Sequence, residues 1–417
     1  ILTLSQHQKY FAVQDEYNNL KNHFAFISNG NPNYSDIIRK GNEKVVKARL
    51  EDAEFYYNED SKQPLDKFVP KLKNVLFQAK LGSLLEKTQR IEKLVEYLAE
   101  ILDINQKDKK DAMRTAYLCK ADLVTSMLGE KEFTKLQGYM GSKYARLSGE
   151  NPIISTAIYE HYLPRGQNDK LPQTLAGSLV AIADKMDSVC GIIGVGLIPS
   201  GSNDPFALRR AANGIVQIID FKYFNINLLE LINKSFSFLE DKLEHPDFNK
   251  KIVIEFFKQR VNWMLQQANI EYDVIKSVMH IDFSNITDLK QRALDLQEFK
   301  QREDFIKLVL GFKRVSNIIM NQTISGEVNH QLLIEHAEKI LYEKYIILSQ
   351  EIKNFLLKKD YKKVMEKLVY FREYIDNFFD DVLVNTDELN LRENRYKLLN
   401  NIRKLFLKVA DIAKIVV

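Results

Sequence analysis

The sequence predicts a mainly α-helical chain of several domains, opened by a small β/α portion. Three observations carry that expectation. Gly (16) and Pro (9) are scarce among 417 residues, so little interrupts regular elements, and helices exploit such stretches best. Apolar residues recur at three- and four-residue spacing through most of the chain. Strand-like apolar runs are confined to roughly the first 30 residues. With 45% hydrophobic and 28% charged residues, disorder and fibrous repeats are excluded. The length allows two or three cores at about 150 residues each.

Residues 1–79 are expected to be the β/α remnant of a preceding domain. Leu2 and Leu4, then Tyr10, Phe11 and Val13, then Phe24, Phe26 and Ile27 form short apolar runs. They end at Asn29-Gly30-Asn31-Pro32, whose residue types favour a turn, and together they predict a hairpin or small sheet. From Asp36 the pattern turns helical, with Val45, Val46, Arg49, Leu50, Ala53 and Tyr57 at helix spacing. The chain lacks an initiator Met, and its opening has neither the basic region nor the cleavage site of a signal peptide. It therefore reads as a piece of something longer.

Residues 80–225 hold most of the glycines and are expected to form one helical domain. Residues 226–310 read as a helical connecting region and 311–417 as a C-terminal helical domain. Three stripes mark packing faces there: Val253, Phe256, Phe257, Val261 and Met264; Val364, Leu368, Phe371, Ile375 and Phe378; and Leu398, Ile402, Leu405, Val409 and Ile412. Turns are expected near His245-Pro246-Asp247, at Ser284-Asn285, at Ser325-Gly326 and at Asn385-Thr386-Asp387.

The net charge of +4, from 60 Lys and Arg against 56 Asp and Glu, confines any nucleic-acid contact to local patches. Two cysteines, Cys119 and Cys190, make neither a disulfide framework nor a zinc cage, which fits a reducing cytoplasm. No apolar run approaches the roughly 18 residues of a spanning helix, so no membrane partner is expected.

Chemistry concentrates in one stretch. Ala157 to His161 reads as a helix ending in a His, followed by a loop with Pro164 and Gly166. An apolar helix then carries Asp184 and Asp187 three apart, on nearly one face. This resembles the second half of the HD (His-Asp) phosphohydrolase fold, in which His and Asp side chains converge on a hard metal that acidifies a water. The first half is present in altered form. Lys87 stands where that family has its first His, and Ala121-Asp122 stands where it has the His-Asp pair. An ammonium and a methyl replace two of about four protein ligands, leaving Asp122 and Asp184 as the carboxylates able to serve. The fold is thus expected without the metal chemistry. His161 reads as a structurally satisfied side chain, with metal ligation as the alternative. Asp184 is expected to bond a nearby backbone or Arg, because an unpaired buried carboxylate is costly.

The altered positions and their surroundings resemble one family. The motifs, in order, are Phe77-Gln-Ala-Lys80-Leu-Gly82, Lys120-Ala-Asp122-Leu-Val-Thr125, Leu136-Gln137-Gly138-Tyr-Met140-Gly141, Glu160-His161-Tyr-Leu-Pro164-Arg165 and Ala183-Asp184-Lys185-Met-Asp187. Ile198 to Arg210, Leu391-Arg392-Glu-Asn394-Arg395 and Leu405 to Ile412 continue the series. The opening Leu4-Ser5-Gln6-His-Gln8-Lys9-Tyr10-Phe11 and Gly41 to Leu50 match its middle region. In order and spacing they are similar to the beta subunits of bacterial heteromeric glycyl-tRNA synthetases, over essentially the whole chain and without that family's N-terminal portion.

The resemblance implies a division of labour. ATP, Mg and the chemistry that makes glycyl-adenylate belong to an alpha subunit, so no catalytic residue, metal ligand or cofactor is expected in this chain. It implies recognition of tRNA(Gly) through an HD-like domain and a C-terminal helical domain similar to the anticodon-binding bundle of arginyl-tRNA synthetase. The implied partners are tRNA(Gly), the alpha subunit and a second beta subunit, in a cytoplasmic heterotetramer, and not DNA. In agreement, Gly191-Ile-Ile-Gly194-Val-Gly196 lacks the order and spacing of a dinucleotide loop.

Phosphate contacts need clustered cations, and single-stranded loops need planar groups for stacking. Candidate RNA-binding residues are Arg165; Arg209 and Arg210 after an expected helix start at Asp204-Pro205-Phe206; Lys313 and Arg314 beside Phe312; and Arg392, Arg395, Tyr396, Arg403 and Lys404. Each cluster also reads as the solvated face of an amphipathic helix. Two further functions compete with RNA recognition: a metal-dependent phosphohydrolase acting on nucleotides, and a scaffold that docks the other chains.

Overall fold

The computed structural model describes residues 4–5, 9–320 and 322–417. Leu2 and the segment Gln6 to Gln8, used in the sequence reading, lie outside the described residues. Strands β1 (Phe11–Gln14) and β2 (Leu20–Ala25) pair antiparallel, with Phe11 opposite Ala25 and Ala12 opposite Phe24. The Asp15 carboxylate accepts hydrogen bonds from the amides of Tyr17 and Asn19, which closes the hairpin. Helix α1 (Ser35–Asp60) follows, one residue earlier than its apolar pattern suggested.

The chain divides into two compact units: Ile1–Phe221 with Glu230–Ile254, and Lys222–Leu229 with Glu255–Val417. In the first unit, α1 ends on a buried Asp60 whose carboxylate accepts from the amides of Ser126 and Met127 and from the Tyr144 hydroxyl. A second small hairpin, β3 (Leu76–Gln78) with β4 (Gly82–Ser83), was not legible in the sequence, because strands this short carry no periodicity. Gly82 takes a positive φ of 86° there. Ser83 then caps α2 (Leu84–Ile101) in a reciprocal capping box with Glu86.

Helices α2, α3 (Gln106–Leu118) and, after α4 (Ser126–Gly129) and α5 (Tyr139–Leu147), α6 (Pro152–Glu160) pack on α7 (Leu175–Gly194), while α4 lies against α1 and α5 against α6. All of α7 is buried except Leu175 and Ser188. A helix apolar on all sides belongs at the centre of a core. The polar residues it carries there, Asp184, Lys185 and Asp187, must therefore find partners inside the protein. Glu160, the last residue of α6, accepts from the amides of Gln173 and Thr174 and from the Thr174 hydroxyl, and so fixes the start of α7. A Cβ on Gly177 would come within 2.7 Å of that carboxylate, so glycine is required at this close approach.

After α8 (Leu208–Lys222) the helices are α9 (Leu228–Ser237), α10 (Pro246–Gln267), α11 (Tyr272–Met279), α12 (Ile286–Lys300), α13 (Glu303–Ile319), α14 (His336–Leu357), α15 (Tyr361–Asp381) and α16 (Leu389–Phe406). Three of the four expected turns fall between elements, while at the fourth His245 directly precedes α10, which takes Pro246 and Asp247 into its first turn. Further breaks at 268–271 and 358–360 turn on Asn269 and Lys359, both at positive φ and neither a Gly nor a Pro. The three apolar stripes are buried. The third is not one helix, however. α16 stops at Phe406, and Val409 and Ile412 reach the core from the chain beyond it, through a 3-10 turn at Ile412–Lys414. Among the described residues no helix is long and apolar enough to cross a membrane.

Candidate functional site

In the first unit α2, α3, α6 and α7 bring the altered HD positions together. Lys87 on α2 is buried, and its Nζ lies 3.0 Å from Asp184 Oδ1 and 3.1 Å from Asp187 Oδ2, donating also to the Ser188 hydroxyl. Arg90, one turn on, forks onto Asp187 with Nε at 2.5 Å and Nη2 at 3.2 Å. The sequence reading missed the third cation. Lys120, beside the altered pair, puts its Nζ 2.7 Å from Asp184 Oδ2 and 3.0 Å from His161 Nε2. The signal was present, since Lys120 directly precedes the emptied His position at Ala121.

Asp184 was expected to bond backbone or an Arg. Its carboxylate partners are instead two lysines. Burial pushes its pKa up, but the adjacent ammonium groups of Lys120 and Lys87 outweigh that and hold it well below the usual carboxylate range. Asp122, the other carboxylate thought able to serve, is turned away. Its Oδ2 accepts from the amides of Gly138 at 2.6 Å and Gly141 at 3.1 Å, at the start of α5. Burial raises the Asp122 carboxyl to about 6 against the opposing pull of those bonds.

His161 is fully buried at the C-terminal cap of α6. Its Nδ1 lies 2.6 Å from the Ile158 carbonyl, which can only accept, so the proton sits on Nδ1 and Nε2 receives the Lys120 ammonium. Burial and the charge on Lys120 keep the imidazole neutral, far below its ordinary pKa. It is expected to show no titration between pH 8 and pH 6 in imidazole nitrogen shifts, where exposed histidines move; a midpoint in that range would refute the assignment. Next to it, Lys185 donates to the His161 and Leu163 carbonyls at 3.0 and 2.8 Å. Burial, reinforced by the like charges of Lys120 and Lys87 although Asp184 opposes them, draws Lys185 down to about 7.

This donor set does not fit a divalent metal. Two ammonium groups, which carry no lone pair, occupy the coordination sphere of the surviving carboxylate, and their charge repels a second cation. The phosphohydrolase alternative is therefore not supported. The cluster ties α2, α3, α6 and α7 together electrostatically, with lysines in the role a metal plays elsewhere.

The RNA-binding candidates scatter. Arg165 is exposed, with its guanidinium over the Tyr159 and Tyr162 rings. Helix α8 starts at Leu208, later than Pro205, and Asp204 itself accepts from the amides of Leu208 and Arg209. Its carboxylate occupies those first amides, and the helix begins two residues beyond the expected start at Asp204-Pro205-Phe206. Arg210 is exposed and Arg209 half-buried.

In the second unit Phe312 is buried against Phe406 and presents no stacking face, while Arg314 lies over Phe379. Arg392 donates to the Thr386 carbonyl, and the Tyr396 hydroxyl donates to Asn385. Arg395 is the clearest correction. It is buried, paired with the fully buried Glu338 and bonded to the Leu383 carbonyl at 2.8 Å, so its charge is spent inside the domain. Lys313 and Arg403 meet along one groove, and Lys404 faces solvent.

Comparison with known proteins accords with this anatomy. The family model described as glycyl-tRNA synthetase beta subunit matches residues 1–280, and that of the DALR anticodon binding domain matches residues 308–416. The glycine–tRNA ligase beta subunit of Clostridioides difficile is 38% identical over 420 residues, covering 100% of this chain and 60% of that protein. The beta subunit of Mannheimia succiniciproducens is 41% identical over 415 residues, with 99% and 59% covered. That of Syntrophus aciditrophicus is 39% identical over 417 residues, with 100% and 60% covered. The chain spans about three fifths of the length of the curated relatives it matches. With a family model over its first 280 residues and this identity end to end, the chain belongs to the glycyl-tRNA synthetase beta-subunit family.

Proposed function

We propose that this chain is the tRNA-recognition part of a glycine–tRNA ligase, and that glycyl activation with ATP and Mg takes place on an alpha subunit. The observation that carries the reading is the match of residues 308–416 to an anticodon-binding domain, in a chain of the beta-subunit family. The lysine-filled cluster supports it from the other side, because that pocket has become a brace. The partners in this reading are tRNA(Gly), the alpha subunit and a second beta subunit, assembled in the cytoplasm. Two free, buried thiols are compatible with a reducing compartment.

The test is tRNA binding by the full-length subunit, alone and with its alpha chain, across a salt series. Binding that weakens steeply with salt, together with glycylation only when the alpha chain is added, is the expected result. Glycyl-tRNA formed by the beta subunit alone, or affinity no greater for tRNA(Gly) than for an unrelated tRNA, would overturn it.

A further inference from the structure

Two grooves of the second unit meet at one seam. The first, about 490 Å³, runs between α10 and α11 and is lined by Lys258, Gln259, Asn262, Tyr272, Lys276 and His280. The second, about 520 Å³, lies beside α13 and α16 with Lys313, Asn317, Asn400 and Arg403 on its walls. Both include His280 and Lys414. The seam between them is fixed by the buried Asp411, whose amide donates to the Ser277 carbonyl at 3.1 Å. Its carboxylate lies 3.5 Å from His280 Nε2 and 3.4 Å from Lys414 Nζ.

We infer that the two grooves form one path for unpaired ribonucleotides, which extends RNA contact to α10 and α11, outside the segment matched to the anticodon-binding domain. Three features select this ligand. Tyr272, the first residue of α11, leaves 69% of its surface exposed at the groove edge, an apolar ring presented to solvent. An exposed planar ring is what a splayed base stacks on. Lys276 is exposed one turn on, and among the described residues neither it nor Lys313 nor Arg403 has an acidic partner. Unpaired cations along a groove are what a phosphate backbone requires. The carboxamides of Asn262, Asn317 and Asn400 offer both donors and acceptors, which suits base edges. Glu255 on the same wall is paired with Lys258, and an acidic peptide would use the remaining cations without needing the exposed ring.

The inference rests on the tRNA reading above, and its test keeps the two apart. Full-length subunit is titrated with a tRNA(Gly) anticodon stem-loop and with a blunt RNA duplex of equal length, and is cross-linked to stem-loop carrying 4-thiouridine in the loop. Expected results are preference for the stem-loop, cross-links at Tyr272 or Lys276, and about tenfold weaker binding for Tyr272→Ala, within the range of one lost aromatic stack. Lys276→Ala and Lys313→Ala are each expected to lower the salt slope by about 0.7. These side chains are at least partly exposed, so the variants fold, and Lys107→Ala on the first unit serves as the unchanged control. No RNA binding by the parent protein would sink the tRNA reading and this inference with it. Parent binding with unaltered Tyr272→Ala and Lys276→Ala affinities, or cross-links confined elsewhere, would sink the groove alone. Equal binding of duplex, or equal competition by polyglutamate, would reduce the site to a general anion surface and refute the assignment to unpaired RNA.

Discussion

Arg395→Ala is expected to unfold the second unit at a lower temperature while leaving the first unit's transition in place. The variant strands Glu338, a carboxylate with no exposed surface whose other oxygen accepts from the amides of Ile334 and Glu335. Breaking a buried ion pair from one side costs about 3–5 kcal/mol, because the remaining charge has neither water nor a counter-ion. For a unit of this size that corresponds to a melting shift of roughly 6–20 °C. Glu338→Gln in the same background is expected to restore part of the loss, since a carboxamide keeps the acceptor for the helix-start amides without a stranded charge. Arg395→Lys should fall between, since one ammonium cannot reproduce a fork that reaches both a carboxylate and the Leu383 carbonyl. Below the transition, the salt slope of tRNA binding should match the parent protein. A slope reduced by about one would return Arg395 to the RNA contacts and refute the structural role given to it here.

Lys120→Ala carries the second large effect, this time in the first unit. It removes the ammonium from Asp184 and the donor facing His161 Nε2 in one step. Lys87 still faces Asp184, so the expected loss is at the lower end of the same range, about 3 kcal/mol. Lys120→Met paired with Asp184→Asn removes both charges at similar volume and should recover most of it. A coupling near zero in that cycle would mean that packing, not charge, makes Lys120 matter. Manganese or magnesium should leave the melting temperature of the parent protein unchanged. A metal-dependent rise would show a coordination site where the lysines are placed, by linkage of binding to stability.

Both predictions concern residues that the sequence reading treated differently, and the reasons are physical. Arg395 lies in the densest run of cations and aromatics, and in sequence a cation that faces solvent looks like one that faces a buried Glu338, 57 positions away. Lys120 looked like a flank of the altered Ala121-Asp122 pair, yet it supplies the charge that the missing ligands no longer bring to Asp184. Asp122 kept the identity of a ligand and lost the direction of one, since its carboxylate points at the amides of Gly138 and Gly141.

What the amino-acid order determined by itself is the local and the periodic. The helices follow from apolar spacing and scarce breakers, the first hairpin from its short apolar runs, and the family from motifs in series, whereas the turn that closes the hairpin, at Asp15 to Asn19, was not read. The vacancy at Lys87 and Ala121 is likewise written in residue type alone, because an ammonium and a methyl cannot coordinate. Only the folded chain decided which charges meet. Pairs such as Lys120 with Asp184, or Arg395 with Glu338, join separate helices, and their energies depend on burial and on angstrom-scale distances that no local pattern encodes. The groove at Tyr272 has the same origin, since α11, α13 and the turn after α16 become neighbours only once the apolar stripes are buried.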